Sequence, residues 1–231
     1  MNLHRLHTGP LSVNTYIVPV SESEVIVVDA ADCAFSRDEG SVVSFLNTKN
    51  LTPVAVVLTH GHFDHVSGLS SLVKAYPSIP IAIHKADSAY IGANSADMQG
   101  KALVQMGFDE FLPFVKNLPA PTAFLEDGNT LAQVFSDCPH ISEEAKKSLA
   151  QWEVVHTPGH TEGSCCLYNE AELTLLSGDT VFFHSWGRTD LIGGNEQKIH
   201  KSLLRIMEEC EEETRVYSGH DGSSFILGEN F

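Results

Sequence analysis

Thr59-His60-Gly61-His62-Phe63-Asp64-His65 places three imidazoles and a carboxylate within six residues, directly after the apolar run at residues 54–58. A short continuous apolar run is the pattern of a strand buried on both faces, so the cluster begins where a buried strand ends. His and Asp each occur 12 times in 231 residues. At those frequencies the order His-x-His-x-Asp-His arises by chance about 0.002 times in such a chain, which sets aside a merely polar loop. Imidazole nitrogen and carboxylate oxygen together suit zinc or iron. A tight turn can divide such a cluster, sending His60 and His62 to one ion and Asp64 and His65 to a second.

Four side chains do not complete two sites, so further ligands are expected at other strand ends. Three candidates stand in that setting. His160 follows the strand-like residues 152–156, Asp179 follows 173–177, and His220 follows 215–218. Each repeats one order: strand, small residue, polar side chain, turn. Loops at one edge of a sheet are where a scaffold gathers functional groups.

The rest of the chain reads as strands with helices between them. Residues 16–20 and 24–29 suggest a hairpin. Ser36 is expected to cap a helix running to about Lys49, and residues 67–75 look helical. Ser142 suits a helix start, and Asn195 suits the cap of a helix carrying Ile199, Leu203, Ile206 and Cys210 on one face. Residues 85–151, interrupted by Pro113, Pro119, Pro121 and Pro139, show no dominant period. The order implies α/β or a layered α+β sandwich in one domain over 1–231.

Composition narrows the partners. The net charge of −16 disfavours phosphate backbones and anionic lipid, so neither nucleic acid nor membrane is expected. No apolar run approaches a membrane span, and the first 18 residues lack a signal-peptide core. The five cysteines are odd in number and form no Cys-x-x-Cys pair, which suits a reducing cytoplasm. Cys165 and Cys166 are read as small hydrophobes in a strand.

Motif for motif, the chain resembles the metallo-β-lactamase superfamily. The resemblance runs through Asn14-Thr15-Tyr16, Asp29, the histidine cluster, residues 158–160, Gly178-Asp179 and Ser218-Gly219-His220. Gly187-Arg188-Thr189-Asp190, followed by Gly193-Gly194, looks most like the short glyoxalase II-like members. This resemblance implies a four-layer αββα sandwich with metals at one edge of the sheets. It implies His60, His62 and His160 on a first metal, Asp64, His65 and His220 on a second, and Asp179 bridging them. Zinc is the first expectation for the two divalent ions, with iron or manganese as alternatives.

The implied reaction is hydrolysis of a small-molecule thioester of the hydroxyacylglutathione type through a metal-bridging hydroxide, which Asp64 helps to orient. A bridging carboxylate at Asp179 separates the chain from the true β-lactamases of the superfamily. The alternatives are a persulfide dioxygenase using one iron on His60, His160 and Asp179, and a lactonase-like ester hydrolase. Arg188 and Asp190 are candidates for orienting substrate or ligands. Full-length glyoxalase II carries a C-terminal helical glutathione-binding domain, and no counterpart of it is expected here. Extra material is expected around 131–151, as a lid or a partner surface.

Overall fold

The computed structural model describes residues 3–230. Its first half builds a six-stranded sheet from β1 (His4–Thr8), β2 (Val13–Pro19), β3 (Glu24–Val28), β4 (Thr52–Val57), β5 (Ile81–His84) and β6 (Ala123–Leu125), in that spatial order. The β1–β2–β3 meander is antiparallel, and β3 to β6 run parallel. The second half forms a five-stranded sheet. It uses β7 (Glu153–His156), β8 (Cys165–Asn169) and β9 (Thr174–Gly178). A separate two-stranded ribbon, β10 (Val181–Phe182) and β11 (Ser185–Trp186), interrupts it before β12 (Arg215–Ser218) and β13 (Phe225–Ile226) complete the order β13-β12-β9-β8-β7.

The helices are α1 (Ser41–Lys49), α2 (Phe63–Val66), α3 (Leu69–Ala75), α4 (Ser95–Met106), α5 (Leu112–Val115), α6 (Leu131–Val134), α7 (Glu143–Leu149) and α8 (Glu196–Glu209). Three apolar clusters divide the side chains of both sheets with a period of two. Ile17, Val25, Val27 and Val56 pack outward against Leu46, Leu72 and Leu103 of α1, α3 and α4. Tyr16, Val18, Ile26, Val28 and Val57 face inward to Val154, Cys165, Leu167 and Leu176 of the second sheet. Val155, Cys166 and Leu175 face outward to Ile199, Leu203 and Ile206 of α8. Adjacent Cys165 and Cys166 therefore serve opposite faces of β8, as alternation requires. The result is the four-layer αββα sandwich.

Two expectations shift. The helix expected from Ser36 begins at Ser41 behind Gly40, which has φ 81. Asp38 explains the delay: it accepts from Ser36 Oγ, Cys33 N and Gly9 N, and so holds residues 33–38 in a turn. Residues 131–151 do not cover the site. Leu131, Phe135, Ile141, Ala145 and Leu149 are buried in the inter-sheet cluster, and none of this segment lines the cleft above the histidines. Ser142 caps α7 as read from the sequence, its hydroxyl accepting from Ala145 N. No helix among the described residues is long and apolar enough to cross a membrane.

Candidate metal centre

The first-sheet half of the site hangs on Asp29. This residue ends β3 in the left-handed region, with φ 57. One carboxylate oxygen accepts from Thr59 N at 2.8 Å, and the other accepts from Thr59 Oγ1 at 2.7 Å. The hydroxyl proton of Thr59 is thereby used, so Thr59 Oγ1 accepts from His60 Nδ1 at 3.1 Å and leaves His60 Nε2 a bare lone pair. Asp29 also meets His65 Nδ1 at 2.9 Å, which turns His65 Nε2 inward. Phe63 anchors α2 by burying its ring against Phe111, 5.0 Å between centroids.

The second-sheet half uses main chain. His160 Nδ1 donates to the Arg188 carbonyl at 2.8 Å, and His220 Nδ1 donates to the Leu11 carbonyl at 3.2 Å. Both rings therefore present Nε2 to the centre. Asp179 follows Gly178, and the chain passes so close at Gly219 that a β-carbon there would stand 2.1 Å from Asp179 Oδ1. Asn14 and Tyr16 of β2 clamp this loop to the first sheet, donating to the Ser218 carbonyl at 2.9 and 2.7 Å.

All seven residues singled out from the sequence come together. His60, His62 and His160 form one group, His60, His65 and Asp179 a second, and Asp64, His65 and His220 a third, with ligand atoms inside 4.8 Å of one another in each. His62 Nδ1 lies 2.8 Å from His160 Nε2. Asp179 stands at the join, 3.4 Å from His65, 3.5 Å from His160 and 3.4 Å from His220. Asp64 Oδ2 lies 3.4 Å from His220 Nε2.

Two atoms test whether a cation fits. His60 Nε2 and Asp179 Oδ1 are buried and make no hydrogen bond. Each orphaned group costs about 1–3 kcal/mol, and a cation among convergent lone pairs removes that cost. The nitrogen and oxygen donor set fits zinc, iron or manganese.

The electrostatics divide the cluster. Burial, reinforced by the neighbouring imidazoles, holds His60 well below the usual histidine range and brings His62 down to about 3. Both are neutral and ready to ligate. Burial also opposes charge on His65 and His220, but Asp179 and Asp64 outweigh it, aided at His65 by Asp29. His65 is raised well above its ordinary value and His220 to about 10.

Two residues the sequence reading passed over knit the loops together. Buried Asp87 accepts from Gly61 N at 2.9 Å, Gly163 N at 2.8 Å and Thr161 Oγ1 at 2.7 Å, tying the first histidine loop to the His160 loop. Gln99 Nε2 donates to the Gly61 carbonyl at 2.8 Å and the Tyr90 carbonyl at 2.9 Å. The only sequence signal for either was a polar residue in a poorly periodic stretch. Arg188 and Asp190 form an exposed two-pronged ion pair, with contacts of 2.7 and 2.8 Å. His84 and His156 stack on each other outside the centre at 4.1 Å. Above the floor opens a cleft of about 460 Å³.

The chain matches the metallo-beta-lactamase superfamily over residues 8–220. It belongs to that superfamily. This metallo-β-lactamase superfamily chain is 29% identical to a probable metallo-hydrolase of Bacillus subtilis, over 99% of its own length and 94% of the relative's. It is 26% identical to a hydroxyacylglutathione hydrolase of Pectobacterium carotovorum, over 83% of its own length and 55% of that enzyme's. Among solved structures, a B3 metallo-beta-lactamase, BLEG-1, superposes with a TM-score of 0.78 at 26% identity, covering 99% of this chain and 95% of the other. TTHA1623 in a di-iron-bound form superposes at 0.72 with 28% identity, covering 97% and 95%. ETHE1 from Myxococcus xanthus superposes at 0.66 with 20% identity, covering 99% and 81%, and shares the fold. The chain is thus a metallo-hydrolase superfamily member whose histidine-rich centre suits divalent metal.

Proposed function

We propose that this protein hydrolyses a small-molecule thioester, in the manner of hydroxyacylglutathione hydrolysis, at a centre for two divalent ions. The observation that carries this reading is Asp179, one carboxylate within 3.5 Å of His65, His160 and His220 beneath an open cleft. His60, His62 and His160 would hold one ion, Asp64, His65 and His220 the other, and Asp179 both. Bound divalent metal supplies Lewis acidity toward an acyl carbonyl and makes water acidic enough to act as a nucleophile near neutral pH.

The chain's own groups do the rest. Asp29 and the Arg188 and Leu11 carbonyls fix the ring orientations on which ligand geometry depends. Burial works against ionisation of Asp64, but His65 and His220 hold its carboxyl below the ordinary range. Asp64 is therefore ionised at the cleft floor, where it would hold the second ion and help to orient the attacking water. No serine or cysteine nucleophile is needed, and the cysteines among the described residues are free, in keeping with a cytoplasmic location.

The second reading is a persulfide dioxygenase with one iron on His60, His160 and Asp179. The likeness to a di-iron-bound protein favours keeping iron in play. Likeness to a B3 metallo-beta-lactamase places a β-lactam beside a lactone in the substrate panel.

The test is metal content per chain, followed by turnover. About two ions per chain with thioester turnover supports the proposal. One iron with oxygen uptake on glutathione persulfide establishes the second reading. A metal-loaded protein that cleaves a lactone or a β-lactam and no thioester overturns the thioester assignment.

A further inference from the structure

The walls of the cleft differ from its floor. Leu11, Met106, Phe182, Phe183 and Leu191 line it above the histidines and aspartates. Leu11, from the β1–β2 turn, is 43% exposed, and Phe183, at the tip of the β10–β11 ribbon, is 54% exposed. Large apolar side chains left open around a concave polar floor are the ordinary form of a binding site for an apolar group. The apolar wall begins next to the floor, because the Phe182 ring lies 6.2 Å from the ring of His220.

Charge selects in the same direction. Among the described residues lining the cleft, Arg188 is the one lysine or arginine, and its guanidinium is engaged by Asp190 through two hydrogen bonds. The wall also carries Asp221, whose carboxylate accepts from Phe183 N at 2.8 Å and Ser218 Oγ at 2.9 Å. Beyond the ions proposed for the floor, an anionic group against the wall meets no unpaired lysine or arginine and faces an aspartate, in a chain of net charge −16.

We infer that the acyl group of the substrate is uncharged and apolar, a branched aliphatic or an aromatic, seated among Leu11, Phe182 and Phe183. The inference rests on the thioester reading and narrows it. Hydrolysis releases the thiol and the apolar carboxylic acid, and water is the only co-reactant.

The experiment uses the metal-loaded protein and four thioesters of one uncharged thiol, N-acetylcysteamine: 3-methylbutanoyl, phenylacetyl, lactoyl and succinyl. One methylene in an apolar pocket changes kcat/KM by roughly 10–200-fold. The two apolar esters are therefore expected to exceed lactoyl by about tenfold or more, with succinyl slowest. Phe183→Ala and Leu11→Ala each shrink the ratio of apolar to lactoyl turnover through KM, and Val104→Ala, exposed and outside the cleft, keeps the wild-type ratio.

Lactoyl or succinyl equal to or better than the apolar esters overturns the inference and leaves the hydrolase reading standing. So does an unchanged ratio in both cleft variants, or a gain that appears only when the apolar group is moved to the thiol. No turnover of any of the four by protein of confirmed metal content overturns the thioester reading and this inference with it.

Discussion

The two sheets deliver their halves of the centre by different means. The edge of the first sheet supplies His60, His62, Asp64 and His65 in a single run and steadies them with side chains, namely Asp29, Thr59, Asp87 and Gln99. The edge of the second sheet supplies His160, Asp179 and His220 from three separate strand ends. It steadies the two rings with main-chain carbonyls and the aspartate with close glycine packing. The difference has a chemical consequence. A carboxylate partner orients an imidazole and adds negative charge beside it, whereas a carbonyl orients it with a dipole alone. It also has a genetic one, because single substitutions can remove the side-chain supports and cannot remove the carbonyls.

The largest test removes the residue on which both halves converge. Asp179→Ala should lower kcat/KM by about a thousandfold or more, since several kcal/mol of transition-state stabilisation depend on metal held there. Metal content measured alongside should fall below two per chain, and a variant that keeps both metal and activity breaks the proposed sharing. Next is Asp29→Ala, which strips the first half of its carboxylate. Loss of a ligand-orienting carboxylate costs about 10–100-fold in metal affinity or activity, read by competition with a chelator.

Asp87→Ala tests the strap between the halves. It orphans three donors, Gly61 N, Gly163 N and Thr161 Oγ1. A loss of about 3 kcal/mol would lower Tm by about 6–12 °C in a domain of this size, so an unchanged Tm would show that the loops hold without it.

Asp32, three residues beyond Asp29, is a buried carboxylate with no imidazole beside it. Burial raises its pKa to about 6, against the Gly40 N–H and the Ser71 hydroxyl that donate to it. A carboxyl raised in the folded state holds its proton more tightly there. It therefore subtracts stability as pH rises from its ordinary value through 6, with the full cost above 6. Asp32→Asn should raise stability, and with it Tm, by about 3 kcal/mol at pH 8 and give no gain at pH 4. The reverse pH order would show the carboxylate to be favourably paired.

The smallest expected effect sharpens the contrast. Arg188→Ala deletes the exposed ion pair with Asp190 but keeps the carbonyl that holds His160. Metal content per chain should match the wild type, and a loss of metal would mean that His160 depends on the Arg188 side chain as well as on its carbonyl.

Legibility in the sequence followed the range of the interaction. The His60–His65 run and its preceding strand were plain because the signal is contiguous. The strand, glycine, ligand order at Asp179 and His220 was plain because strand ends and small residues are local features. The αββα layering was implied by the resemblance, and alternation along the strands bears it out. The start of α1 was misplaced because Asp38 draws on a backbone donor at Gly9, far away in sequence. Asp87 and Gln99 were invisible for the same reason, their partners lying 26, 76 and 38 residues away.

By itself, then, the amino-acid order determined which residue types could hold a metal and that strand ends would carry them, because periodicity, turn chemistry and donor type are properties of short stretches. The tertiary structure alone decided that the seven side chains meet within one centre and which nitrogen of each ring points inward. It also decided that residues 131–151 fill core rather than cover the cleft, and that the cleft wall is apolar. Those outcomes depend on two sheets packing face to face, which brings together at a few ångströms groups that the chain holds as many as 200 residues apart.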